Sequence, residues 1–199
     1  MKRIILILLI FTLSLCGCKS SYYEPEQIII VSSIGIDATE SGLLLTLETV
    51  DTSKPDGNWE YSPKTMEITE KDCETAYKRL QQSLGNKLNC EHCVLMVFGK
   101  NTKSKEIFIS LKFLSESENL SQNTKVVKSE NANKLIKTKS YSGQAVGYDI
   151  VKILNLQGRR ETNLQSNLYW ILKDKGNKEL QLVEISMENN KYFLKEKKR

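Results

Sequence analysis

The sequence predicts an α+β fold: a mixed sheet with helices in an N-terminal domain, followed by a smaller α+β segment. Two β-branched and aliphatic segments, 28–36 and 43–50, lie on either side of a short polar turn, which is typical of paired antiparallel strands. The segment 69–84 instead repeats its apolar residues at helical spacing. The 199 residues, 40% of them hydrophobic, suffice for one domain with a moderate core or for two small domains.

Within the N-terminal domain, 28–138, apolar periodicity and turn and capping residues predict the elements. The first strand runs into a turn at Asp37, and a loop covers 51–63. Thr69 is predicted to cap a helix that ends at Gly85 and has acidic residues in its first turn. The other predicted elements are a strand at 93–98, a helix at 103–114, a strand at 125–127 and one or two helical turns at 131–136.

The remaining segment, 139–199, combines one helix with several strands. Apolar residues at helical spacing between positions 146 and 154 predict the helix. The chain ends in a basic tail that we expect to be solvated. The predicted strands are 168–172, 180–186 and 191–194, the last two joined by a tight turn at Asn189 and Asn190.

The N-terminal segment 1–17 has the pattern of a bacterial lipoprotein signal peptide. Two cationic residues precede an apolar run that, at about 1.5 Å per residue, is too short to cross a hydrocarbon core of about 30 Å. The run ends in Leu-Cys-Gly-Cys, a lipobox whose small residues let a signal peptidase reach the bond before Cys18. We expect Cys18 to begin the mature chain and carry the lipid, with 18–27 as a polar tether. An uncleaved anchor helix is the alternative, which the charged Lys19 disfavours.

Three further cysteines, Cys73, Cys90 and Cys93, are an odd number and cannot all pair within one chain. The Cys-Glu-His-Cys run at 90–93 invites a zinc or redox interpretation. Zinc needs about four ligands, and adjacent residues such as His92 and Cys93 point to opposite faces of a strand. We therefore expect incidental, half-buried cysteines at the entry to a strand.

Composition and motifs exclude most kinds of chemistry. A net charge of +5 without a basic, aromatic-rich face argues against nucleic-acid binding, and the single histidine makes histidine-based catalysis hard to build. No phosphate-loop, dinucleotide, nucleophile-elbow or zinc-protease motif is present. Asp37 could act as a catalytic carboxylate, but an aspartate that closes a strand is commoner. Trp59 and Trp170 are expected as partly buried anchors rather than a ligand site. We expect no catalytic, cofactor-binding or metal-binding residue.

Four segments follow the lipobox in a recognisable order. The first, 24–37, is an acidic linker and an apolar strand ending in Gly-Ile-Asp. The second is the helix 69–84. The third, 90–99, has a histidine before an apolar strand that ends in glycine, and the fourth, 113–120, is an acidic loop. Their collinear order resembles the N-terminal part of spore germination lipoproteins of the GerAC, or Ger(x)C, family. Those proteins usually have an aromatic-acidic pair where this chain has Lys19-Ser20, and a further C-terminal domain that we expect this chain to lack.

The resemblance implies a noncatalytic subunit of a nutrient germinant receptor that acts in spore germination without a cofactor. Its partners would be integral membrane subunits. Its acyl chains, palmitate among them, would hold it at the outer face of the cytoplasmic membrane, the inner membrane of the spore. The tether 18–27 would keep the fold within roughly 20 Å of the bilayer. The alternative is an unrelated surface lipoprotein that binds a small ligand for a transporter or sensor.

Overall fold

The computed structural model describes residues 28–50, 63–157, 166–173, 180–188 and 191–195. In these residues eight strands share one mixed sheet and five helices pack against it, which confirms the predicted α+β class. The strands are β1 (Ile28–Thr39), β2 (Gly42–Val50), β3 (Pro63–Glu70), β4 (Lys87–Asn89), β5 (Leu95–Gly99), β6 (Lys125–Ser129), β7 (Val183–Glu188) and β8 (Lys191–Leu194). The helices are α1 (Cys73–Leu84), α2 (Ser104–Ser117), α3 (Ala132–Ile136), α4 (Val146–Gln157) and α5 (Leu168–Lys173).

The centre of the sheet is parallel and its outer parts are antiparallel. The strand order is β3-β2-β1-β5-β6-β7-β8, and the short β4 lies beside the first residues of β1, on the edge that β5 occupies further along. β1, β5, β6 and β7 run parallel, whereas β2, β3 and β8 each run antiparallel to a neighbour. Because β7 pairs with β6, strands from both sides of position 138 belong to one sheet. The division of the chain there into a domain and a smaller segment stays a prediction.

Helices cover both faces of the sheet because alternate residues of a strand point to opposite sides. In β5, Met96 and Phe98 face a first core that α1, α2 and α5 complete. Leu95 and Val97 face a second core that α3 and α4 complete. All four side chains are fully buried, so the central strand contributes apolar area to both cores, as parallel strands with two covered faces do.

Most predicted elements are confirmed, with ends that shift by a few residues. Gly85 ends α1 as predicted: its φ of +66° lies in the left-handed region that favours glycine, and its amide donates to the carbonyl of Gln82. The predicted Asn189-Asn190 turn lies outside the described residues, and the strands before and after it pair antiparallel. Residues 51–62 of the predicted loop also lie outside the described residues.

The predicted start of the first helix, at Thr69, was wrong. Residues Pro63–Glu70 form β3, in which Thr69 pairs with Leu44 of β2 instead of capping a helix. The cap is Asp72, whose carboxylate accepts a hydrogen bond from the amide of Thr75 at 2.8 Å. Among the described residues, the polar β3 is paired on one side only, and just two of its side chains, Met66 and Ile68, pack against the first core. Such a one-sided edge strand has too few apolar residues for its alternation to stand out.

The predicted strand at 168–172 was also wrong, because these residues form α5. Leu168 and Ile171, three positions apart, are buried in the first core, as one face of a helix requires. The strand-like pairing is limited to Asn167, which forms an isolated bridge with Lys125. A short apolar run fits a buried strand or a buried helix equally well, so packing decides between them.

Candidate functional site

Three largely buried carboxylates lie at the starts of the helices that cover the second core. Asp37 comes from β1, Glu48 from β2 and Asp149 from the first turn of α4, and their exposed fractions are 8%, 2% and 7%. Burying a carboxylate is costly unless hydrogen bonds satisfy its oxygens. The partners of these groups therefore show whether they are available for chemistry or belong to the framework.

Glu48 is held on one side by an irregularity in β1. The register of β1 against β2 shifts between Val31 and Ser33, so β1 carries one extra residue opposite Glu48. The hydroxyl of Ser33 donates to Oε2 of Glu48 at 2.6 Å. The hydroxyl of Ser32 lies 3.2 Å from the same Oε2 and 3.0 Å from the backbone carbonyl oxygen of Glu48. The bulge thus brings two successive serines to the same carboxylate oxygen.

The other oxygen of Glu48 faces the start of α4. Oε1 accepts a hydrogen bond from the amide of Val146 at 2.8 Å, and the amide of Gly147 also donates to this carboxylate. The first amides of a helix have no partners within it and carry a partial positive charge, which a carboxylate satisfies. Burial raises the pKa of Glu48 above its ordinary value, against the effect of the hydrogen bonds that it accepts. Glu48 therefore joins β1, β2 and α4 at one buried point.

Asp37 performs the same task for α3. Its two carboxylate oxygens accept hydrogen bonds from the amides of Ala132 and Asn133, at 2.9 and 2.7 Å. The side chain of Asn131 accepts from the next amide, so the first turn of α3 is satisfied. Gly99 of β5 makes room for this contact, since a Cβ at that position would lie 2.0 Å from Oδ1 of Asp37. Asp37 lies within β1, which continues to Thr39 instead of closing at Asp37 as predicted.

Asp149 holds the segment that leads into α4. Its Oδ2 accepts hydrogen bonds from the hydroxyl of Ser140 at 2.6 Å and from the amides of Tyr141 and Ser142 at 2.8 and 3.2 Å. Burial alone would raise the pKa of Asp149, but the hydrogen bonds outweigh it and hold that pKa below its ordinary value. The carboxylate thus stabilises a local loop.

A more exposed polar group links α3 to the outer strands. The side-chain amide of Asn133 donates to Thr46 of β2 at 2.8 Å and to Glu67 of β3 at 2.6 Å. Lys137, just after α3, pairs with the same Glu67 oxygen at 2.5 Å. The hydrogen bond from Lys137, with that from Asn133, lowers the pKa of Glu67. The helix is consequently fixed across three neighbouring strands.

Neither Glu48 nor Asp149 was among the candidate residues predicted from the sequence. A usable signal existed for Glu48, because it is the one charged residue in an otherwise apolar and hydroxylated strand. Asp149 carried only the general preference of acidic residues for the first turn of a helix. Each of the three carboxylates accepts hydrogen bonds from the chain's own amides or hydroxyls, which is the arrangement of a framework.

The three cysteines are free thiols in the first core and are fully buried rather than half-buried. Burial raises the pKa of both Cys73 and Cys90 to about 12. The hydroxyl of Tyr77 lies 3.4 Å from Sγ of Cys90, and the thiol of Cys93 donates to the carbonyl of Leu95 at 3.4 Å. In the part of the chain that the structure describes, no three histidine, cysteine or acidic side chains come together as a metal site would need.

Slow reaction of these thiols is expected in the folded chain. A protonated thiol is a poor nucleophile, and reagents reach a buried one only when the structure opens. Labelling with a maleimide at pH 8, mapped to Cys73, Cys90 and Cys93 by peptide mass spectrometry, should be at least about 100-fold slower in buffer than in urea. Rapid labelling of a folded chain would support the redox interpretation instead, and zinc retained through dialysis would support the metal interpretation.

A shallow depression beside α1 is a concave site in the described residues. It has a volume of about 560 Å³, and its polar lining includes charged groups that pair with one another or with neighbours, such as Lys78 with Glu74 and Arg79 with Glu70. Ligand pockets are mostly apolar with a few convergent polar groups. This depression lacks the apolar lining that the small-ligand alternative would require.

Of the two tryptophans, only Trp170 lies in the described residues. Trp170 lies on the outer face of α5 and is 41% exposed, beside Tyr169 at 43%. Its ring meets that of Tyr169 edge to face, with the ring centres 5.1 Å apart. Trp59 lies outside the described residues. Trp170 is therefore more exposed than the partly buried anchor that the sequence predicts.

The predicted lipid site precedes the described residues. Cys18, the lipobox and the tether 18–27 all lie before Ile28, so lipidation stays a prediction. Across the ranges described, the structure contains no helix with both the length and the apolar character needed to span a membrane.

Comparison with known proteins relates the chain to a family. A family model described as the spore germination protein N-terminal domain matches residues 21–185, which is most of the chain. No curated protein and no solved structure matches it. The matched region contains the three buried carboxylates and the strands from β1 to Ile185 of β7.

Proposed function

The chain belongs to the family of spore germination proteins that carry the GerAC N-terminal domain, and we propose that it is a noncatalytic, lipid-anchored subunit of a nutrient germinant receptor. The family match is the observation that carries this proposal. It covers residues 21–185 and therefore includes the helices on both faces of the sheet and the strands as far as β7. Family membership relates the chain to spore germination, and the features below support the finer assignment.

The lipobox supports the anchor. Its small residues precede Cys18, and the apolar run before it has the length of an export signal rather than of a membrane span. One acyl chain binds a membrane weakly, whereas two or three hold a protein firmly. Ten residues of random coil reach about 16–19 Å, so a tether of the predicted length would place the fold beside the outer face of the cytoplasmic membrane.

The hydrogen bonding of the buried carboxylates and the burial of the thiols support a noncatalytic role. Asp37, Glu48 and Asp149 bind helix and loop amides, and the three thiols are buried in an apolar core. Catalytic groups need access to a substrate and a matched partner such as a base beside a nucleophile. The described polar groups instead join elements of the fold to one another.

The proposed partners are the integral membrane subunits of the receptor in the inner membrane of the spore. An anchored fold is confined near the bilayer, so its effective concentration toward a membrane partner is high without a tight interface. No cofactor and no nucleic acid is part of this proposal. The competing assignment, a surface lipoprotein that captures a small ligand, predicts saturable ligand binding by the chain alone.

Nutrient-triggered release of dipicolinic acid from spores tests the proposal. Deletion of the chain should abolish or strongly slow release, and Cys18→Ala should reproduce the defect because the subunit is no longer held at the membrane. Cys16→Ala is the matched control, since it keeps a small lipobox residue and the acceptor thiol. Normal release by both the deletion and the Cys18→Ala strain over a broad nutrient panel would contradict a receptor role.

Copurification separates the two assignments. A receptor subunit should be recovered from solubilised spore membranes together with integral membrane proteins. A ligand-capture protein should instead bind a nutrient in isothermal titration and be recovered without such partners.

A further inference from the structure

Three side chains on the outer face of α5, Tyr169, Trp170 and Lys173, form an exposed patch, referred to below as the aromatic-lysine patch. Both rings are more than two-fifths exposed, although large aromatic groups are usually buried. The ammonium of Lys173 lies 5.0 Å from the centre of the Trp170 ring and 5.6 Å from that of Tyr169. The inner face of the same helix is buried through Leu168 and Ile171, so the patch is held in a fixed position.

The chemistry of this patch fits a membrane-water interface. Tryptophan and tyrosine combine an apolar ring with one polar group and are enriched at the headgroup level of bilayers. A lysine places its alkyl chain along apolar surface while its ammonium meets anionic headgroups. An aromatic pair covered by a cation therefore matches an anionic lipid surface in both polarity and charge.

The sheet places the patch at the end where the chain enters the fold. β1, β5 and β6 are parallel and begin at the same end, because Ser33 pairs with Leu95 and Leu95 pairs with Lys125. At that end the amide of Leu168 donates to the carbonyl of Thr124, just before β6. The helix α5 thus begins beside the amino ends of the parallel strands, two strands away from β1.

The distances are compatible with simultaneous anchoring and contact. Two strand spacings separate β6 from β1 by about 10 Å. Ile28 begins β1 five residues before Ser33, which is about 16 Å along the strand. A tether of ten residues spans about 16–19 Å, so a lipid at Cys18 and the patch can reach one bilayer together.

We infer that the aromatic-lysine patch lies against the headgroup region of an anionic membrane and orients the fold beside its lipid anchor. This inference rests on the proposed function for the anchor at Cys18, and it adds a second membrane contact. The contact limits rotation about the tether and presents the opposite end of the sheet, where β1 reaches Thr39, away from the bilayer.

Tryptophan quenching by labelled lipids tests the contact. The full chain is produced in a bacterium that processes lipoproteins and is reconstituted into vesicles that contain phosphatidylglycerol and lipids brominated near the headgroup. The two tryptophans of the chain are separated by mutation: Trp59→Phe leaves Trp170 as the sole reporter, and Trp170→Phe is the matched control. We expect strong quenching and a blue shift of Trp170 emission. Lys173→Glu should lower the equilibrium constant for docking of the patch on the membrane by roughly 30-fold, because it removes one positive charge and adds a negative one.

Flotation of the same vesicles in a density gradient separates this inference from the anchor. If the chain floats but Trp170 emission is unquenched, the patch does not contact lipid, the inference is overturned and the anchor stands; a patch that binds a protein subunit would give this result. If the Cys18→Ala chain no longer floats but its Trp170 is quenched at high vesicle concentration, the patch is confirmed independently. A chain that neither floats nor shows quenching contradicts both.

Discussion

Replacement of Glu48 with alanine is expected to lower the free energy of unfolding by about 3 kcal/mol, because buried amides and hydroxyls left without partners cost about 1–3 kcal/mol each. The affected donors are the amides of Val146 and Gly147 at the start of α4 and the hydroxyl of Ser33. The hydroxyl of Ser32 keeps an acceptor, because it also donates to the backbone carbonyl of position 48 at 3.0 Å. For a chain of this size the loss corresponds to a fall of about 6–12 °C in Tm. Urea unfolding followed by circular dichroism measures it.

Glu48→Gln is the matched control for size and shape. One amide oxygen can still accept from α4, and the NH₂ group can donate to serine oxygens, so we expect a change within about 1 kcal/mol at neutral pH. Burial raises the pKa of Glu48, so the folded chain binds its proton more tightly than the unfolded chain does. The stabilisation from that proton is present below the ordinary pKa and is lost as the pH rises through the raised one. Glu48→Gln should remove this part of the pH dependence, and an unchanged profile would contradict it.

Asp37→Ala is expected to cost about 2–4 kcal/mol, because it leaves two helix amides without acceptors, the buried one of Ala132 and the partly buried one of Asn133. Asp37→Asn keeps one acceptor oxygen and should cost about half as much. Hydrogen exchange should show the loss first in α3. Glu116→Ala, at an exposed position of α2, serves as the control and should stay within about 0.5 kcal/mol of the parent chain. A small effect of Asp37→Ala together with unchanged protection of α3 would contradict the capping role.

The same variants also bear on function. Asp37 and Glu48 are the carboxylates on which a catalytic interpretation would depend, and both bind the starts of helices. If they are framework groups, a spore that carries Glu48→Gln should release dipicolinic acid at the parent rate. A stable Glu48→Gln chain that fails in germination would instead indicate a chemical role for the carboxylate.

Elements with a strong local pattern were predictable. The strands β1 and β2 and the helices α2 and α4 have sustained apolar periodicity, and Gly85 marks the end of α1 through its own backbone preference. The collinear segments that resemble the GerAC family are also a property of the sequence, and the family model confirms that resemblance.

Elements with a weak local pattern were not predictable. β3 is polar and, in the described part of the sheet, pairs with β2 alone, so its alternation carries little signal. The run at 168–172 fits a strand or a helix, and the first core selects the helix by burying Leu168 and Ile171. The exposure of Trp170 follows from that choice, because a strand at the same place would have presented other side chains.

The sequence alone determined the fold class, the family and the pattern on which the expected lipid anchor depends, since these arise from composition, periodicity and short motifs. Only the tertiary structure decided which polar groups support the second face of the sheet. Asp37 meets Ala132 across 95 positions and Glu48 meets Val146 across 98. Such contacts depend on how strands and helices are placed in space, and local residue preferences do not encode that placement. A carboxylate's role is therefore set by the amides that the fold brings to it.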